Sequence, residues 1–223
     1  MKLTVRDASS LLGISEKTVY RWISQGTIPA YRVNDQYRFN RYELLEWATS
    51  RRISVSPEIF HEPESAGTPM PTLADALETG GVVYRVGGTE RESVLRAVIQ
   101  SLRLPEEVDT EFLFRVLLAR EMLGSTAIGD GIAIPHVRNP IVLHVTRPSI
   151  TLCYLERPVD FGALDGKPVS VLFTTISPTV RAHLHLLSRL TFSLRDDQLR
   201  GVILRQATRE EIFREIRRVE AAF

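Results

Sequence analysis

Apolar residues recur at helical spacing along the first fifty positions of the chain. Val5, Ala8, Leu11 and Leu12 share one side of a short helix, and Val19, Trp22 and Ile23 share one side of a second. Thr4 with Asp7 can cap the first helix, Gly13 breaks it, and Ser15 is a good N-cap for the second, expected from Glu16 to about Ser24. Two short helices joined by a three-residue turn containing glycine describe a helix-turn-helix. Its outward residues are Lys17, Thr18, Tyr20 and Arg21, each able to contact phosphates or base edges. The period then changes. Gly26 and Pro29 turn the chain into Ala30-Tyr31-Arg32-Val33, Asn34-Asp35-Gln36 make a polar tip, and Tyr37-Arg38-Phe39 return, which reads as a hairpin. Arg32 and Arg38 project from it and suit a wing that grips backbone phosphate, while Tyr20 and Tyr31 could equally be packing residues. Asn40 is expected to cap a third helix carrying Tyr42, Leu44, Leu45, Trp47 and Ala48.

Residues 51–71 lose all period. Ser, Pro and Glu dominate, with Pro57, Pro63, Pro69 and Pro71, so a semi-extended linker is expected; His61 lies within it without a partner pattern. A second domain follows, over residues 72–223. Val82–Val86 read as a strand, and Thr89 with Glu92 as a capping box opening a helix that carries Val94, Leu95, Val98 and Leu102. Another helix, from Asp109 or Thr110, runs to Arg120. Strands are expected at Ser149–Leu155 and Val169–Thr175, with a turn from Ala163 to Lys167 between them. The remainder reads as helices over roughly Thr179–Leu194 and Asp196–Arg205, and from Thr208, which caps through Glu211. The whole is expected to be α/β: a small winged helix-turn-helix (1–50), a linker (51–71), and a mixed sheet flanked by helices (72–223).

Composition adds limits. Hydrophobic content of 43% and charged content of 25% are ordinary for soluble globular proteins, and no run of about 18 apolar residues spans a membrane. The N-terminus becomes charged too soon for a signal peptide. The single cysteine, Cys153, sits among Ile150, Leu152 and Leu155, reads as inert core, and fits a reducing, cytoplasmic setting. Residues 1–52 hold nine Lys/Arg against five Asp/Glu, a balance of +4, whereas the other 171 hold nineteen against twenty-two, a balance of −3. A basic head on a mildly acidic body points to a nucleic-acid module attached to something else.

The most informative stretch is Arg120 to His136. A Leu-rich helix carrying Phe112, Leu113, Val116 and Leu117 stops at Gly124, and Gly129 and Gly131 bracket a tight turn where backbone can approach a bound group. Ile132 and Ile134 alternate like a short half-buried strand, and Pro135 is expected to end it and lift His136 onto a loop. Histidine has an ordinary pKa of about 6.5, so at neutral pH one ring nitrogen is mostly a nucleophile. A guanidinium and glycine amides nearby suit phosphate.

Arg120-Glu121, Leu123-Gly124-Ser125-Thr126, Ile128-Gly129 and Gly131-Ile132-Ala133-Ile134-Pro135-His136 closely resemble the active-site segment of type-2 enzyme IIA domains. These belong to the fructose/mannitol and nitrogen-regulatory branches of the phosphoenolpyruvate-dependent phosphotransferase system. The resemblance extends through Leu155, Pro158–Phe161 and the His183-Leu184-His185 helix. It implies that His136 accepts a phosphoryl group from a phosphocarrier protein and that Arg120 stabilises it. Gly124, Ser125, Thr126, Gly129 and Gly131 form the expected phosphate loop. Val137 stands where many members carry a small residue and is expected to crowd the site. His183 takes the position of a second active-site histidine. His-x-His also invites a metal reading, but residues two apart on a helix point about 200° from each other, so no metal site is expected, and no cofactor. The scheme fails if the ring of His136 is buried, or lies more than a phosphate's reach from both Arg120 and His183. His144 has no motif.

The head shows a second resemblance. Leu3-Thr4-Val5, Ala8, Leu11-Leu12-Gly13-Ile14-Ser15, Thr18-Val19-Tyr20-Arg21-Trp22-Ile23, Gly26, Ile28-Pro29-Ala30, Arg32-Val33 and Tyr37-Arg38-Phe39 closely resemble the excisionase-type branch of the MerR-like winged helix-turn-helix family. That family implies double-stranded DNA as partner, with Ser15, Lys17, Thr18, Tyr20 and Arg21 on the groove-reading helix and Arg32 and Arg38 on the wing. Together the resemblances imply a DNA-binding regulator phosphorylated on a histidine, acting as a phosphohistidine carrier and as a homodimer on DNA. The alternatives are a regulator whose enzyme IIA scaffold binds a protein or metabolite without phosphorylation, a sugar-transport component, and a helix-turn-helix that binds protein rather than DNA.

Overall fold

A computed structural model describes residues 2–33, 36–51, 53, 70–137 and 145–222, and the chain divides into two compact units, Met1–Thr68 and Pro69–Phe223. His61, His144, Asn34, Asp35 and the linker prolines Pro57, Pro63 and Pro69 lie outside the described residues.

In the head, α1 (Val5–Leu12) starts at the expected box, with Thr4 Oγ1 accepting from the Asp7 amide and the Asp7 carboxylate accepting from the Thr4 amide. Gly13, at φ +62°, closes it in the left-handed conformation that a side chain would strain. Ser15 caps α2 (Glu16–Ser24) through the Thr18 amide. The strands β1 (Lys2–Leu3), β2 (Tyr31–Val33) and β3 (Gln36–Asn40) form an antiparallel sheet in the order β1-β3-β2, and α3 (Arg41–Ser50) follows. Asn40, expected as the cap of α3, is the last residue of β3 and immediately precedes that helix. Leu11, Leu12, Val19, Phe39, Leu44 and Ala48 are buried together. Trp22 meets Trp47 edge-on at 5.3 Å, and the Trp47 indole N–H donates to the Thr27 carbonyl at 2.6 Å.

The body opens with α4 (Leu73–Gly80), a helix the sequence pattern did not predict, capped by Thr72. It leads into β4 (Gly81–Val86), α5 (Arg91–Ser101) and α6 (Thr110–Met122). The expected Thr89/Glu92 box is displaced. Ser93 Oγ accepts from both the Thr89 and Glu90 amides, so Glu90 is the N-cap, and Leu102 falls just past the helix. The hairpin β5 (Ala127–Gly129) and β6 (Ile132–Ala133) precedes the long strands β7 (Ser149–Val159) and β8 (Val169–Ile176). Then come α7 (Val180–Ser193), α8 (Asp197–Leu204) and α9 (Arg209–Glu220), the last capped by Thr208 through Glu211.

The sheet order is β4-β7-β8-β6-β5. Pairs β4–β7 and β6–β8 are parallel, while β7–β8 and β5–β6 are antiparallel. Strand alternation divides the core in two. Ile132, Ile134, Ile150, Leu152, Tyr154, Val171 and Phe173 pack with Leu186, Leu187 and Leu190 of α7 and with α4, α8 and α9. Ala133, Cys153, Leu155 and Leu172 face α5 on the other side. With both faces covered, Ile132 and Ile134 are 1% exposed each rather than half-buried. Cys153 is fully enclosed and burial pushes its thiol up to about 12, so it stays protonated and inert.

Candidate functional site

Three elements bring the predicted body residues together. Arg120 lies in the last turn of α6, His136 follows β6, and His183 is in the first turns of α7. The rings of His136 and His183 are 5.4 Å apart between centroids, tilted by 42°. The Arg120 charge reaches the same point: the His183 imidazole is held well below the ordinary range by burial first, then by His136 and by Arg120. It is therefore a neutral ring, enclosed at 0% exposure. The N-terminus of α7, capped by Thr179, brings the positive end of a fourteen-residue helix to this corner.

His136 does not sit on an exposed loop. Proline removes only a donor, so Pro135 does not end the pairing: its carbonyl accepts from the Thr175 amide at 3.1 Å, and His136 forms a parallel bridge with Thr175. The residue is 3% exposed, contrary to the expectation of an unburied ring, and this counts against phosphorylation of the closed site. Its Nδ1 lies 2.7 Å from the Ile134 carbonyl, and a carbonyl can only accept, so Nδ1 carries the proton. In the neutral ring the lone pair then belongs to Nε2. Val137 does not crowd this face. Its side chain points to the opposite side of the sheet, among Leu113, Leu117 and Ile176.

The expected phosphate loop is split in two by the fold. Gly124, Ser125 and Thr126 stay on the His136 side: the Thr126 carbonyl accepts from the Ile134 amide, and the Gly124 carbonyl accepts from Arg120 Nη1 at 2.7 Å. Gly129 and Gly131 belong to the opposite end. They flank Asp130, at φ +53°, in the two-residue Asp130-Gly131 hairpin turn of β5–β6. The Gly131 carbonyl pairs at the start of β8, whereas Pro135 pairs near its end. Five residue steps of extended chain separate Gly131 from His136, about 16 Å of strand. These two glycines therefore offer nothing to a group on His136.

Glu121 was not singled out by sequence reading. It is 2% exposed, and its carboxylate accepts from the Thr126 amide at 3.1 and 3.2 Å and from the Thr126 hydroxyl at 2.6 Å, which fixes the turn carrying Gly124. A charge next to Arg120 in the quoted segment was its only signal. His185 points away from His183, as two residues on a helix must. It is hydrogen-bonded to the Pro71 backbone, and partial burial, then Arg189, lower it to about 4. Among the described residues no cluster of His, Cys, Asp or Glu could hold a metal ion, and no helix is long and apolar enough to cross a membrane.

In the head, Lys17, Tyr20 and Arg21 are exposed on α2, while Thr18 is half-buried with its hydroxyl 3.0 Å from that of Ser15. Ser15 is thus engaged in capping. The two wing arginines diverge. Arg32 pairs with Tyr37 and Arg38 with Tyr31, so they leave opposite faces of the hairpin. Tyr37 meets Tyr20 at 6.3 Å, which places Arg32 on the face shared with α2. Arg38 bonds to Gln36 and the Tyr37 carbonyl, and its charge helps lower Asp7. Tyr31 donates to Glu43 and is half exposed.

With this geometry in view, residues 77–219 match the family described as "Phosphoenolpyruvate-dependent sugar phosphotransferase system, EIIA 2", and residues 3–52 match "Helix-turn-helix domain". A nitrogen regulatory protein of Pseudomonas aeruginosa is 35% identical over 145 residues, covering 63% of this chain and 92% of that protein. One of Escherichia coli is 33% identical over 124 residues, covering 55% and 72%. The crystal structure of nitrogen regulatory protein IIA-Ntr from Neisseria meningitidis superposes with a TM-score of 0.53 at 28% identity, covering 60% of this chain and 92% of that one.

Proposed function

The chain belongs to the type-2 EIIA family of the phosphoenolpyruvate-dependent phosphotransferase system, with a helix-turn-helix domain at its N-terminal end, and from that premise we propose that it is a DNA-binding regulator phosphorylated on His136. A phosphocarrier protein carrying a phosphohistidine donates. The donor's P–N bond breaks, a bond from phosphorus to His136 Nε2 forms, and the donor ring recovers its lone pair. Such an in-line transfer needs positioning and charge more than covalent machinery. Ile134 holds Nδ1–H and so fixes the nucleophilic nitrogen, while Arg120, neutral His183 and the α7 N-terminus face the incoming oxygens. The observation that carries this reading is the 5.4 Å approach of the two rings near the N-terminus of α7, where the Arg120 charge also acts on His183.

The product adds roughly −1.5 to −2 charge to the body. The head reads duplex DNA, in the manner of the excisionase-type branch, through Lys17, Tyr20, Arg21 and Arg32; Arg38 serves the other face of the wing. One such module buries on the order of 600–1,000 Å² on DNA, so two copies are expected on an operator. Binding selection from random duplexes, with and without prior phosphorylation, tests the coupling: enrichment that is the same in both arms removes phosphorylation from the regulatory account.

The near-complete enclosure of His136 favours a second reading, in which the scaffold binds a protein or metabolite and is never phosphorylated. Under the first reading, the site must open locally before transfer. Incubation with phosphoenolpyruvate, enzyme I and the phosphocarrier separates them. Uptake by the full chain supports the first, and no uptake alongside intact DNA binding selects the second.

A further inference from the structure

Among the described residues, five buried hydroxyls of the body have no hydrogen-bond partner: those of Tyr154, Thr174, Thr175, Ser177 and Ser193. An enclosed hydroxyl left unpaired loses on the order of 1–3 kcal/mol of solvation without return, so its persistence calls for a reason. Strand register separates the members of this group. Ile132 pairs with Val171 and Ala133 with Leu172, and the same offset continues to the His136–Thr175 bridge. Ile132, Ile134, Val171 and Phe173 all face α7. Alternation therefore turns His136 and Thr175 to that face too, side by side at the inter-strand spacing of about 4.8 Å. Thr174 points the other way, with Leu172 and Ile176. Both threonines are 0% exposed.

We propose that Thr175 is a further phosphoryl-binding residue, whose unpaired hydroxyl, set beside the His136 ring on the α7 face, donates to an oxygen of the phosphoryl group on that ring. The inference rests on His136 being the acceptor. Among the described residues no protein group pairs with this hydroxyl, and phosphorylation supplies a charged acceptor in reach. The unpaired donor is thereby a feature of the resting state that the product satisfies. Thr174 provides an internal control, with equal burial and an equally unpaired hydroxyl on the face away from the ring.

The test uses the full chain equilibrated with phosphoenolpyruvate, enzyme I and phosphocarrier, and reads both the transfer equilibrium with the phosphocarrier and the melting temperature. Hydrogen bonds to charged groups are among the stronger ones, so Thr175→Val should shift the equilibrium about tenfold toward the carrier. The same variant should melt at or above the wild-type temperature, because an isosteric apolar group replaces an unpaired hydroxyl. Thr175→Ser should restore the equilibrium to within about twofold, and Thr174→Val should leave it unchanged. Wild-type-like transfer in a folded Thr175→Val, or an equal loss in Thr174→Val, overturns the assignment of Thr175 alone. Absence of any label on the wild type overturns it together with the acceptor role of His136.

Discussion

The two ends of the β6–β8 pair lie within one short stretch of sequence and obey opposite rules. At the Asp130 end the polar groups of the turn residue are paired: the Asp130 amide donates to Asp165, and its carboxylate meets Lys167 at 2.9 Å and Arg200 at 3.7 Å, in partial contact with solvent. At the His136 end, the buried hydroxyls of Thr175 and Ser177 have no partner among the described residues, and burial holds His183 neutral. The first end is built to hold a turn. The second carries a free-energy cost that a bound phosphoryl group would relieve, and such costs concentrate where a site needs them.

Changes at either end should separate these roles, and the largest effect is expected in acid. His183 and His185 both have folded values below the ordinary 6.5, so the unfolded chain binds more protons than the native one. Their contribution to stability is complete above about pH 6.5 and drains away as pH falls toward 4 and below. Urea unfolding across that range should show a steep acid limb that His183→Gln makes shallower. Next, Glu121→Ala strips the carboxylate from a buried network and should cost on the order of 3 kcal/mol in urea, with phosphoryl uptake reduced as well. Arg120→Gln should spare folding by comparison and slow uptake about 10²-fold in rapid-quench assays.

At the opposite end the effects shrink and concern stability alone. Gly131→Ala puts a side chain at φ +75° with its Cβ 3.3 Å from the Pro168 carbonyl, and should cost about 1–2 kcal/mol while uptake stays at the wild-type rate. Asp130→Ala removes partly exposed ion pairs and should cost less than about 1 kcal/mol. A fall in uptake for Gly131→Ala would mean that the two ends are not separate after all.

Local signals carried much of this fold. Thr4, Ser15 and Thr208 each cap the helix their spacing predicts, because a cap is decided within four residues. Helix α4, only eight residues long and closed by Gly80 with Gly81 after it, was not predicted. Gly80 is required by a distant partner, since a Cβ there would lie 2.3 Å from the Ile150 carbonyl. The resemblance pointed to Arg120, His136 and His183, and the fold brings the two imidazole rings together, but the burial of His136 was not legible. It depends on Thr175, thirty-nine positions later, accepting Pro135 into the sheet. The separation of Gly131 from His136 was there to be read, since five extended residues cannot fold back on one ligand. The divergence of Arg32 and Arg38 also follows from strand parity once the hairpin register is known.

The central claim, a phosphoryl acceptor at His136, is tested most directly by labelling the full chain from phosphoenolpyruvate through enzyme I and the phosphocarrier. The account predicts one acid-labile phosphoryl group per wild-type chain and none on a folded His136→Ala variant. An unlabelled wild type, or label persisting on His136→Ala, would contradict it.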